Sequence, residues 1–130
     1  MQNPNRLKRI VWATAVIAAA LLSACCSGPR GSLNRTTWDS FDLASDWKFE
    51  YINFTFVSEN EIKATFLEYD SPNRHVIGTY SYDAQNSTAT VLLDGDTLHC
   101  TIRDEVLRYT GPDSVRYTLR KRSRYHKPDF

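Results

Sequence analysis

The sequence predicts an all-β fold: a small antiparallel up-and-down β-barrel of about eight strands, following an apolar N-terminal leader. Three observations predict it. Apolar residues recur with period two along most of the chain after residue 46, and no long helical pattern competes. Clusters of turn residues separate the alternating runs by only a few positions, too few for the crossovers that parallel strands require. About eight short strands in a chain of 130 residues would expose unpaired edges if flat, and closure removes them. An open meander or a sandwich is the alternative arrangement.

The leader comes first. Arg6, Lys8 and Arg9 precede an apolar run from Ile10 to Leu22, followed by the small residues Ser23 and Ala24. A basic segment, a short apolar stretch and small residues before a cut site mark a secretory signal peptide. The run falls short of the roughly 20 apolar residues that a membrane-spanning helix needs. Leu22-Ser23-Ala24-Cys25 then resembles the bacterial lipobox, residue for residue. That resemblance implies cleavage after Ala24 and a diacylglyceryl group on Cys25. Residues 1–24 are thus a signal peptide, and residues 25–32 are the lipidated cysteine with a Ser-, Gly- and Pro-containing flexible tether. No Asp follows Cys25 as in lipoproteins retained at the inner membrane, nor does an acidic run resembling a surface-export signal. An outer-membrane position with the domain facing the periplasm is the expectation.

The barrel is expected over residues 33–120. A short strand around Thr36 to Trp38 opens it. Trp47, Phe49 and Tyr51 alternate with Lys48 and Glu50, and then the phase slips to Ile52, Phe54 and Phe56. One extra residue of this kind signals a β-bulge. Next come Ile62, Ala64 and Phe66; Val76, Gly78, Tyr80 and Tyr82; Ala89, Val91 and Leu93; and Leu98, Cys100 and Ile102. Val106 to Tyr109 is short and ambiguous, and Val115, Tyr117 and Leu119 close the series. Asp94-Gly95 is the strongest turn signal, since both central positions of a type I′ turn have positive φ. Ser58-Glu59-Asn60, Ser71-Pro72-Asn73, Asp83 to Asn86, Arg103-Asp104-Glu105 and Gly111-Pro112-Asp113 supply the other breaks.

An eight-stranded barrel is either filled by its own side chains or holds one small ligand. The inward sets are rich in rings, and Gly78 and Ala89 are small, so a mostly packed barrel with a shallow mouth is expected. Trp47, Phe49, Tyr80 and Tyr82 are the candidate ligand-binding residues. A solid barrel that acts through its surface, as a protein-interaction or envelope-enzyme inhibitor module, is the other open reading. The loop from Asp70 to His75 and the basic tail would then be its contacts.

Three short motifs together resemble a family. Leu33-Asn34-Arg35-Thr36-Thr37-Trp38, Gly78-Thr79-Tyr80-Ser81-Tyr82-Asp83 and the closing Val115-Arg116-Tyr117-Thr118-Leu119 strand are similar to those of small lipocalin-like lipoproteins of the Bacteroides type. Arg35 stands where that family usually has Gly. The resemblance implies that Trp38 plugs one barrel end under an arginine of the last strand, Arg116 or Arg120. It supplies no shared activity. Asp96-Thr97-Leu98 and Asp113-Ser114-Val115 resemble the O-glycosylation signal of the same bacteria, which makes Thr97 and Ser114 candidate acceptors.

Little in the chain suggests catalysis. His75, His99 and His126 lie in no triad or metal-ligand spacing, so neither an enzyme nor a metal or other cofactor is expected. Cys100 alternates inward as a small hydrophobe, with a bridge to Cys26 as the alternative. The chain carries 16 Lys and Arg against 15 Asp and Glu. Acids dominate from Arg30 to Leu119, whereas residues 121–130 form a basic tail. An acidic body in a secreted chain argues against nucleic acid as a partner. The expected partners are the membrane, through the lipid anchor, and a small apolar ligand or an envelope protein.

Overall fold

Strand after strand, the alternation read from the sequence becomes the inside and outside of a barrel. In the computed structural model of the chain, residues 31–41, 43 and 47–130 are described. The segments expected as signal peptide and tether, with Cys25 and Cys26, lie outside them up to residue 30. Eight strands follow in order: β1 (Thr36–Asp39), β2 (Phe49–Phe56), β3 (Glu61–Glu68), β4 (Arg74–Asp83), β5 (Thr88–Leu93), β6 (Asp96–Arg103), β7 (Val106–Thr110) and β8 (Arg116–Lys121). Each pairs antiparallel with the next, and β8 returns to β1, so the sheet is a closed barrel. β8 extends to Lys121, one residue beyond the expected boundary.

The phase slip in β2 is the expected bulge. Phe49 pairs with Glu68 and Tyr51 with Leu67, which leaves Glu50 as the extra residue. Its effect is to send Tyr51 outward, away from the face it shared with Trp47 and Phe49 in the alternation. The Tyr51 hydroxyl there donates to Asp39 Oδ2 at 3.0 Å. Val115 also departs from expectation. It sits in a tight turn closed by the Gly111 amide donating to its carbonyl at 2.8 Å, so it is exposed and β8 starts one residue later.

Inward residues from every strand form one core. Trp38, Ile52, Phe54, Phe56, Ile62, Ala64, Val91, Leu107 and Leu119 are all fully buried. Turn chemistry sets the hairpins: Asp94 and Gly95 have φ of 52° and 87°, the type I′ pair that Asp-Gly favours. Arg35 has φ of 62°, so the left-handed turn persists although the side chain is not Gly. For an L-residue that conformation costs about 1–2 kcal/mol. It places the Arg35 amide 2.7 Å from the Phe56 carbonyl and the guanidinium 4.6 Å from the Tyr125 ring.

Beyond β8, the basic tail lies on the outer wall of the barrel. The Arg122 amide donates to the Thr37 carbonyl at 2.8 Å, extending the β1–β8 closure. Its guanidinium holds Asp39 Oδ1 at 2.6 and 2.8 Å. The His126 amide donates to Thr37 Oγ1 at 2.9 Å, and the Phe130 ring lies 4.5 Å from that of His75. These contacts cover Thr37 and Asp39, which are buried although they point away from the core.

Candidate functional site

Antiparallel succession divides the turns between two ends. One end carries the β2–β3, β4–β5 and β6–β7 turns; the other carries the β1–β2, β3–β4, β5–β6 and β7–β8 connections. The first end is closed by side chains. Phe56 and Tyr80 pack edge to face at 4.6 Å, and the Tyr80 hydroxyl donates to the Ser58 carbonyl at 2.6 Å. Leu33 is buried as the chain enters at this end. Trp38 is also fully buried, its indole N–H donating to Thr36 Oγ1 at 2.9 Å. Arg116 and Arg120 are exposed, facing away from it. The arginine that turns back on β1 is Arg122, which binds Asp39 and lies 5.2 Å from the Phe41 ring.

The second end is open. A cavity of about 250 Å³ lies there, lined by the apolar and aromatic side chains of Leu93, Leu98, Phe49, Phe66, Tyr109 and Tyr117 and by the charged Lys48, Arg74, Asp96 and Asp113. Its rings form a continuous series. Phe49 lies 5.3 Å from Phe66 and 5.5 Å from Tyr117; Tyr117 lies 5.3 Å from Tyr109; and Tyr109 stacks on Phe54 at 5.2 Å. Offset and edge contacts of this kind keep the rings in place beyond what simple burial achieves. The volume is below the roughly 300–1,000 Å³ of pockets that enclose a drug-sized ligand, so the space suits a short molecule.

Of the four sequence candidates, Phe49 lines this cavity. Trp47 stands behind it, edge-on to Tyr117 at 5.1 Å. Tyr80 and Tyr82 do not join them. They lie near the β4–β5 turn, at the closed end, because that half of β4 runs away from the mouth. Gly78 does not widen the interior either: a Cβ there would meet the Leu92 carbonyl oxygen at 2.1 Å, so its small size lets β5 approach closely. Residues missing from the expectation are Phe66, Tyr109, Tyr117 and the charged rim. The shared signal was available, since all of them flank connections at one end of the meander.

Charge at the rim is ordered. Lys48 Nζ lies 3.8 Å from Glu68 and 4.0 Å from Asp113, and Arg74 lies 3.3 Å from Asp94. Asp113 anchors the Tyr117 hydroxyl and the Val115 amide. Partial burial raises the Asp113 pKa, but those two hydrogen bonds and Lys48 outweigh it and hold the carboxyl below its ordinary value. Burial pushes Tyr109 and Tyr117 above the usual phenol range, with Asp113 adding to both.

Burial likewise pushes the Cys100 thiol up to about 12, and burial with nearby Glu59 takes Tyr80 to about 12. Among the described residues Cys100 forms no disulfide, and it is buried inside the barrel. Folding therefore keeps these groups neutral to higher pH than the unfolded chain does. Their contribution is complete below the ordinary values of 9.0 and 10.0 and is lost as pH rises through about 12. The urea midpoint is expected to be lower at pH 11 than at pH 8. Equal midpoints would contradict this.

Thr97 is exposed at the start of β6, and Ser114 is exposed in the β7–β8 turn with φ of 66°. Among the described residues, no group of three or more His, Cys, Asp or Glu could hold a metal ion. Comparison with protein families, curated proteins and solved structures returns no match.

Proposed function

We propose that this chain is a lipocalin-like envelope lipoprotein, anchored through lipid on Cys25, whose barrel binds a small hydrophobic or amphipathic ligand. The observation that carries the binding reading is the cavity of about 250 Å³ with its aromatic and charged lining. Apolar burial there supplies roughly 25 cal/mol per Å² of ligand surface, and the rim fixes the polar end. It is a binding module, and no catalytic residue is assigned.

Two features favour anchorage at the outer membrane with the domain facing the periplasm: the lipobox-like Leu22 to Cys25 and the absence of Asp after Cys25. The described chain begins at the closed end, and Arg35 is tied to Phe56 there. Thr97, exposed at the start of β6, and Ser114, exposed in the β7–β8 turn, remain candidate O-glycosylation sites.

Native mass spectrometry of protein purified from its own membrane tests the binding reading. A retained small molecule is expected, while a clean protein mass accompanied by a stoichiometric protein partner would favour the interaction-module reading. Cys25→Ala tests the anchor. The variant is expected to lose palmitate labelling and to accumulate as an uncleaved precursor. Labelling that persists without this thiol would contradict the assignment.

A further inference from the structure

We propose that the barrel mouth selects a small organic cation, an ammonium headgroup on a short apolar stem. The inference rests on reading the cavity as a ligand site and adds the charge of what enters it.

The first argument is the charge at the mouth. Lys48 and Arg74 line the cavity together with Asp96 and Asp113, and the two cations are also paired with Glu68 and Asp94. The lining itself holds two carboxylates and two bases, and Glu68 and Asp94 add two further carboxylates beside those bases. An anionic ligand would have to draw Lys48 and Arg74 from their carboxylates and lie beside Asp96. A cation meets an acid excess that is already in place.

The second argument is that the aromatic faces already carry cations. Lys48 Nζ lies 4.9 Å from the centre of the Phe49 ring, and the Arg74 guanidinium lies 5.1 Å from that of Phe66. An ammonium over a ring face, flanked by carboxylates, is the arrangement that recognises alkylammonium ligands. Here the chain's own Lys48 occupies it, between Phe49, Glu68 and Asp113. The Lys48 side chain is 55% exposed and its ion pairs are long, so it can leave for water at little cost.

The third argument comes from the aromatic lining of the cavity. Beyond the effect of burial, Asp113 raises the pKa of both Tyr109 and Tyr117, and Glu68 raises that of Tyr117, so the negative field reaches the cavity wall. Tyr109, which lines the cavity, is only 4% exposed.

The test uses the full chain in nanodiscs of neutral phospholipid and three water-soluble probes: butyltrimethylammonium, pentanoate and 1-pentanol. Dissociation constants are measured by saturation-transfer NMR against empty nanodiscs. The ammonium probe is expected to bind tightest and pentanoate weakest. Lys48→Gln removes the internal competitor and is expected to strengthen ammonium binding about two- to fivefold, whereas Asp96→Asn weakens it by a similar factor. Equal binding of the three probes, a preference for pentanoate, or loss of ammonium binding in Lys48→Gln would overturn the charge selection and leave the cavity reading standing. No binding of any probe would overturn both.

Discussion

Trp38→Ala is expected to bring the barrel close to unfolding under conditions where the native chain is stable. The indole is fully buried, and its N–H is satisfied by Thr36 Oγ1 at 2.9 Å. Truncating a buried tryptophan costs about 3–5 kcal/mol, through lost transfer energy and the cavity left behind. A domain of this size has only about 5–15 kcal/mol in total. The Thr36 hydroxyl also donates to the Leu33 carbonyl at 2.6 Å, so the damage is chiefly lost packing. Urea denaturation measures it, with Trp47→Ala as the contrast. Trp47 is only partly buried and contacts the core from its edge, so its truncation is expected to cost much less. A Trp38→Ala cost below about 1 kcal/mol, in the range of a surface change, would show that the indole is not part of a close-packed interior.

Gly78→Ala is expected to destabilise the barrel although it adds one methyl group. The new Cβ would lie 2.1 Å from the Leu92 carbonyl oxygen and 2.8 Å from Leu93 Cδ2. The leucine methyl can rotate away. The carbonyl belongs to backbone paired between β4 and β5, where Thr79 stands opposite Leu92, and it moves only if that ladder opens. Overpacking typically costs about 1–3 kcal/mol and occasionally more, and a backbone clash belongs at the upper end. Because Leu93 also lines the cavity, the same change is expected to weaken ligand binding. Gly31→Ala is the control, since a Cβ there has nothing within 4 Å. Thermal unfolding of the two variants compares them directly. Similar midpoints would mean that β5 does not approach β4 as closely as described.

Which face a residue takes was legible in the sequence; which end it occupies was not read from it. Alternation placed Phe54, Ile62, Val91, Leu98 and Leu119 inside, and all of them are buried. It grouped Phe49 with Tyr80 because both point inward, yet they lie at opposite ends. Hairpin polarity distinguishes them: β2 starts at the mouth and β4 ends away from it. The bulge was visible as a slip from Tyr51 to Ile52, but alternation alone could not say which residue is extra. Pairing with β3 decides it, and Glu50 is the one displaced. Arg35 shows a different limit. Local propensity favours Gly at φ of 62°, and tertiary contacts to Phe56 and Tyr125 hold the arginine there instead. The tail's position on β1 rests on Arg122–Asp39 and His126–Thr37, pairs 83 and 89 residues apart, and no local pattern reports such contacts.

The most direct test of the central claim, a closed barrel whose interior is reached from one end, is intermolecular NOE spectroscopy with methyl-labelled protein and a short amphiphile. NOEs from the amphiphile to Leu93 and Leu98 are predicted, with none to Leu33 or Leu107. NOEs to Leu33 and Leu107 without those to Leu93 and Leu98 would contradict the account.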